Sequence, residues 1–143
     1  MEAAIPGLER LIEAYGIEII RPMTLHARGR VFELRGACED ALPFYQESQE
    51  LDPRQTALNV ELGRCHRKLG NLEEALDHLT RHLEVRPFDP ETNYEIALVY
   101  VERGDREKAL EHLGTALDVW SDADPGYEPA QDARDRLAEL SGG

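Results

Sequence analysis

Apolar residues recur along this chain at three- and four-residue steps, and the blocks they form recur every 34 residues. Over 72–83 the apolar positions are Leu72, Ala75, Leu76, Leu79 and Leu83, one stripe of an amphipathic helix. Adding 34 repeatedly aligns Gly36 with Gly70 and Gly104, Ala41 with Ala75 and Ala109, and Leu42 with Leu76 and Leu110. Tyr45, Leu79 and Leu113 make a bulky column, while Leu51, Val85 and Val119 are expected to close each unit. Gly29, Gly63 and Ala97 make another small column, and Phe32, His66 and Tyr100 an aromatic one. A gap-free period of this length is that of a two-helix unit stacked along an axis.

Local chemistry punctuates the units. Gly70 suits the left-handed residue that ends a helix, and Asn71 is then expected to cap the next helix, with Glu74 completing a capping box. Asp105 repeats that cap in the third unit, whereas Ala37 cannot supply one. The alanine column lets two helix backbones approach closely. Pro53 and Pro87 halt the second helices, since proline disfavours helix in the residue before it. At the ends, residues 7–15 predict a helix with Pro6 in its first turn, and Ile17 to Ile20 a linker packed on the first unit. Tyr127, Ala130, Ala133, Leu137 and Leu140 form one stripe of a C-terminal helix that would cap the stack.

The Leu62-Gly63 pair, Tyr100, the turn glycines, the alanine column and the closing Leu51-Asp52-Pro53 and Val85-Arg86-Pro87 resemble the tetratricopeptide repeat. That resemblance implies an all-α superhelix, a right-handed solenoid of antiparallel helix hairpins. Its units would span 22–55, 56–89 and 90–123, about seven-tenths of the chain, with an N-terminal helix and linker over 1–21 and a capping helix over 124–143. The stretch from Trp120 to Leu140 is similar to endings of bacterial members. Arg28 and His82 depart from the pattern at positions that are elsewhere apolar or small, so looser packing is expected there.

For function, the resemblance implies binding of a peptide segment or partner protein in a concave groove lined by the first helix of each unit. The groove residues it implies are His26, Arg30, Arg64, Arg67, Lys68, Tyr94, Leu98 and Val101. Arg30, Arg64, Arg67 and Lys68 form a basic patch suited to carboxylates, which arginine grips with paired hydrogen bonds. The same arginines have Glu33 and Glu61 nearby as alternative partners. Tyr94, Leu98 and Val101 are apolar on the side of their helix opposite the core positions, either as an exposed docking patch or beneath neighbouring helices. Some co-chaperone members clamp a terminal carboxylate. Here those sites hold His26, Arg30, Glu61, Glu91 and Glu95, and three carboxylates would repel such a ligand.

Charge narrows the partners. The net charge is −13, and residues 71–143 carry −11 of it. Nucleic-acid binding is disfavoured, since phosphate backbones require concentrated Lys and Arg. No run is long enough for a membrane span, and residues 1–21 are too acidic and interrupted for a signal peptide. The 14 arginines against two lysines point weakly to a bacterial source. Cys38 and Cys65 occupy unrelated columns and are expected to be reduced thiols of a cytoplasmic protein. His78 and His82 lie one helical turn apart with Glu74, but nothing completes a metal site, and solvated histidines are expected. Cys65 and His66 are adjacent, which points them apart on a helix, so no nucleophile–base pair results. No catalytic residue and no cofactor is expected. The expected function is a non-catalytic adaptor for a protein or peptide; the alternative is a homo-oligomeric structural subunit using an exposed apolar face of the third repeat.

Overall fold

A computed structural model of the chain describes residues 2–142. Its helices are α1 (Ile5–Tyr15), α2 (Arg21–Leu34), α3 (Cys38–Leu51), α4 (Leu58–Lys68), α5 (Leu72–Val85), α6 (Pro90–Arg103), α7 (Arg106–Val119) and α8 (Glu128–Gly142), and no strand occurs among the described residues. The pairs α2–α3, α4–α5 and α6–α7 are the hairpins; α3 packs on α4 and α5 on α6, which stacks them. α1 lies against α2, and α8 against α7 and α6, at the two ends.

Each hairpin turns on a left-handed glycine: Gly36, Gly70 and Gly104 have φ of 76°, 81° and 75°. The following N–H groups, of Ala37, Asn71 and Asp105, reach back 2.9 Å to the carbonyls of Phe32, His66 and Tyr100, satisfying acceptors that the helix end would orphan. The rings of those three residues stack on Phe44, His78 and His112, with centroids 5.5, 5.5 and 5.8 Å apart. Asp105 caps α7 by accepting from the Lys108 N–H. Asn71 makes no such cap on α5, because its amide is turned toward His66 Nδ1 at 3.5 Å.

Interior side chains form three layers. Cys38, Ala41, Tyr45, Leu58, Leu62 and Cys65 fill the first, Val60, Ala75, Leu79, Ile96 and Val99 the second, and Ala97, Leu113, Ala116, Trp120, Ala130 and Ala133 the third. Gly63 permits a close helix approach. A Cβ there would overlap Leu79 Cγ and lie 3.2 Å from the Ala75 carbonyl oxygen.

Several expectations are corrected. Cys38 and Cys65 are bonded as a disulfide, with their Cα atoms 5.1 Å apart. A repeat column records position within a unit, whereas these two residues face each other across the α3–α4 interface between units. Leu51, Val85 and Val119 do not close the units but are exposed on the second helices' last turns. Ile17 to Ile20 is not a packed linker throughout, since Glu18–Ile20 makes a 3-10 turn with Ile19 exposed.

The two departures from the pattern are also accommodated. Prolines lie in the first turns of α2 and α6, Pro22 and Pro90, but their second-unit counterpart is Thr56, and α4 begins two to three residues later in its unit, at Leu58. Buried His82 sets Nδ1 3.1 Å from the Thr56 carbonyl oxygen, matching the 2.7 Å bond from Ser48 Oγ to the Pro22 carbonyl in the first unit. His82 therefore ties down the start of α4 rather than loosening it. Arg28 pairs with Glu9 of α1 and lies over the Phe44 ring, 5.8 Å from its centroid.

Candidate functional site

The first helices of the hairpins, α2, α4 and α6, lie side by side and present one shared polar face. Charged pairs cross it from helix to helix. Arg64 of α4 joins Glu33 of α2 to Glu91 of α6, the latter at 2.6 Å. Arg67 of α4 joins Glu95 and Glu102 of α6 at 2.9 and 3.0 Å. His26 of α2 lies 3.2 Å from Glu61 Oε1 of α4, whose Oε2 is buried and takes no donor among the described residues.

Burial decides which of these pairs are structural. The Glu33 side chain is 5% exposed and Arg64 13%, and the Tyr45 hydroxyl donates to Glu33 at 2.5 Å. Burial alone would raise the Glu33 pKa, but the hydrogen bond and charge of Arg64, with the Tyr45 hydroxyl, outweigh it and hold the carboxyl below its ordinary range. The partner groups move accordingly. Burial and the Glu33 carboxylate push the Tyr45 hydroxyl well up, and Arg64 is raised because its carboxylates overcome desolvation. Arg67 behaves likewise beside Glu95 and Glu102. Arg64 and Arg67 are thus clamps between helices, each bonded to two carboxylates through Nε and Nη1.

The remaining expected groove residues are placed differently. Arg30 is 34% exposed, and among the described residues its one ion pair is with Glu33, at 3.5 Å. Lys68 is exposed at the end of α4. Tyr94, Leu98 and Val101 do not form an exposed patch. Leu98 is 6% exposed, Val101 is half-buried, and the half-buried Tyr94 donates its hydroxyl to Asp132 of α8 at 2.7 Å. Tyr94 also packs beside Trp120, with ring centroids 5.8 Å apart. Docking of α8 on α6 covers Tyr94, while Glu91, Glu95 and Glu102 keep the shared face of α6 polar. Burial first, then the Asp132 carboxylate, push the Tyr94 hydroxyl pKa up.

One open pocket of about 450 Å³ lies on this face. Val60 and Ala57 supply its apolar lining, and its charged residues are Arg30, Glu61, Arg64, Arg86, Asp89 and Glu91. Arg86, which follows α5, was absent from the expected groove residues. It sits in the connection between units, and its column holds Asp52 and Trp120 elsewhere, so no repeated signal marks it.

His78 and His112 are half-buried and each hydrogen-bonded within the chain. His78 Nδ1 lies 3.0 Å from Asn59 Oδ1, and His112 repeats this at 2.8 Å from Asn93 Oδ1. Burial lowers both histidine pKa values, with His66 and Arg81 adding to the effect at His78. His82 is spent on Thr56, and no group of three or more potential metal ligands occurs among the described residues.

Comparison with known proteins agrees with this geometry. The family model described as tetratricopeptide repeat matches residues 54–120. No curated protein matches the chain in sequence. Among solved structures, it is similar to YrrB, described as a TPR protein with an unusual peptide-binding site, at 28% identity and a TM-score of 0.68. That match covers 80% of this chain, which spans 57% of the YrrB chain. PcrH in complex with the chaperone-binding region of PopD is 24% identical with a TM-score of 0.73, covering 84% of this chain and 90% of that one. The first TPR of Spaghetti (RPAP3), bound to the HSP90 peptide SRMEEVD, shares the fold at 14% identity and a TM-score of 0.72, covering 85% and 91%. With the second and third units matched in sequence and the first built on the same glycine and alanine columns, the chain has the all-α fold of tetratricopeptide-repeat proteins.

Proposed function

We propose that the shared face of α2, α4 and α6 binds a peptide segment or partner protein, and that the protein is a non-catalytic interaction module. The observation that carries this reading is the open pocket on a face held rigid by ion pairs between successive helices. A face whose side chains are already fixed loses little conformational entropy when a ligand arrives. The peptides bound by PcrH and by RPAP3 support the same reading. Of the expected groove residues, Arg30, Lys68 and His26 remain available for contact, while Arg64, Arg67 and Tyr94 serve mainly to shape the face.

The test is binding of peptides to the full chain and to Ala57→Trp, which places a large ring in the pocket from an exposed position. Loss of binding with unchanged helicity is expected. Peptide binding that ignores the substitution refutes the face as the site.

A second reading, self-association, is favoured by a different surface from the one expected on the third repeat. Leu51, Val85, Phe88 and Val119 are exposed at the ends of the second helices and in the connection after α5. Light scattering that shows a monomer at all concentrations removes it. No helix among the described residues is long and apolar enough to cross a membrane. The expectation of a cytoplasmic protein went together with reduced thiols at Cys38 and Cys65. The Cys38–Cys65 bond does not go with that pairing, since disulfides persist mainly in oxidising compartments.

A further inference from the structure

The pocket on the α2–α4–α6 face contains three carboxylates and three guanidinium groups, but their hydrogen-bonding capacity is unequally spent. Glu91 is held by Arg64, and Glu61 by His26. Asp89 caps α6, accepting from the Thr92 N–H at 2.9 Å and from its hydroxyl at 2.6 Å. Arg64 is bonded at both ends. Arg30, in contrast, makes one long contact, and the exposed Arg86 makes no ion pair among the described residues although Asp89 and Glu91 line the same pocket. The carboxylates that would neutralise Arg86 are committed elsewhere. Apart from the buried Glu61 Oε2, which takes no donor among the described residues, what the pocket has left to offer is donors.

We infer that Arg30 and Arg86 together receive the side-chain carboxylate of an aspartate or glutamate in a bound peptide. This deepens the peptide-binding reading and rests on it. A guanidinium presents five N–H donors in a planar fork matched to a carboxylate, and two such forks leave a carboxylate's acceptor sites well filled. The surroundings also set a limit on the ligand. Glu61, Asp89 and Glu91 lie around the same pocket in a chain of net charge −13, so each additional acidic residue in the ligand meets repulsion. The preferred segment carries one acidic residue flanked by uncharged ones, not an acidic run. The pocket volume of about 450 Å³ leaves room for that residue's neighbours over Val60 and Ala57.

The test begins with a random heptapeptide library displayed on phage and panned on the full chain. Selected peptides are synthesised, each with its acid and with the matching amide, and their affinities are measured for the wild type, Arg30→Gln/Arg86→Gln and Arg106→Gln. Arg106 is an exposed arginine of α7 and serves as the control. Selected peptides are expected to hold a single Asp or Glu. Its change to the amide should weaken wild-type binding at least about tenfold, and the double variant should weaken the acid peptide by a similar factor while leaving the amide peptide unchanged. Arg106→Gln should change neither. Selected peptides without an acid, acidic runs that bind best, or acid and amide peptides that respond equally to the double variant overturn the inference. If such peptides are still lost on Ala57→Trp, the face remains the binding site and only the acid-reading role falls. If no peptide is selected, or Ala57→Trp has no effect, the binding reading falls and takes this inference with it.

Discussion

Removing the Cys38–Cys65 bond should destabilise the protein by several kcal/mol. The bond joins the first residue of α3 to α4, so it staples the first hairpin to the second across a sequence separation of 27. Loop-closure entropy for a separation of that size gives about 3.5 kcal/mol of stabilisation through the unfolded chain. With a urea dependence of roughly 2 kcal/mol per molar, the unfolding midpoint should fall by about 1.7 M. Both sulfurs belong to buried residues, so the native bond is shielded and reductant must act on unfolded protein. The assay is urea unfolding followed by circular dichroism, with and without reductant throughout, beside a Cys38→Ala/Cys65→Ala variant. Mass spectrometry of the denatured, non-reduced chain should show two hydrogens fewer than the thiol form. Two reactive thiols in that sample would disprove the bond. A confirmed bond with identical midpoints in both conditions would refute the entropic argument, meaning that the first two hairpins stay associated in the denatured chain.

Three other outcomes follow from the packing. Arg64→Ala should cost roughly 3 kcal/mol in chemical denaturation, because it strands the buried Glu33 carboxylate, whereas Arg30→Gln should cost little; equal effects would deny the distinction between clamp and free cation. Gly63→Ala should destabilise by about 1 kcal/mol net, as overpacking against Leu79 and the Ala75 carbonyl outweighs the gain in helix propensity. An unchanged or raised melting temperature would contradict that close approach. Acid should destabilise in two stages. The lowered pKa values of His78 and His112 mean that the unfolded chain binds more protons just below pH 6.5, so stability begins to fall there. The lowered pKa values of Glu33 and Asp132 contribute stability above the ordinary carboxylate range that is lost as pH falls through their folded values. Stability that is flat from pH 7 to 5 in urea titrations would remove the histidine part.

Much of the fold is legible in the sequence because it depends on local rules repeated three times. A left-handed turn needs glycine, a close helix crossing needs a small residue, and a buried helix face needs apolar residues at helical spacing. Gly70, Ala75 and Leu79 state those requirements without reference to the rest of the chain. The caps were legible only in part. Asp105 and Asn71 share a column, yet a neighbouring His66 ring diverts Asn71, a contact that depends on which residue happens to lie beside the turn.

The site was less legible because it is made of relations between units. The family pattern locates α2, α4 and α6 on one face, but it does not tell which arginine is spent. Arg30 and Arg64 share a column and the same chemistry. They differ because Glu33 and Glu91 converge on Arg64 from the two adjacent helices. Whether Tyr94 and Leu98 were exposed or covered stayed open in the sequence; in the fold Tyr94 meets Asp132 of α8 and Leu98 is buried. Arg86 comes into the pocket only through the connection between hairpins. The sequence by itself determined the period, the turns and the helix faces, since each is decided by side chains within one turn of the same helix. Only the tertiary structure decided the Cys38–Cys65 bond, the commitment of Arg64 and Arg67, and the donors left on Arg30 and Arg86. Those depend on distances between helices that no single helix encodes.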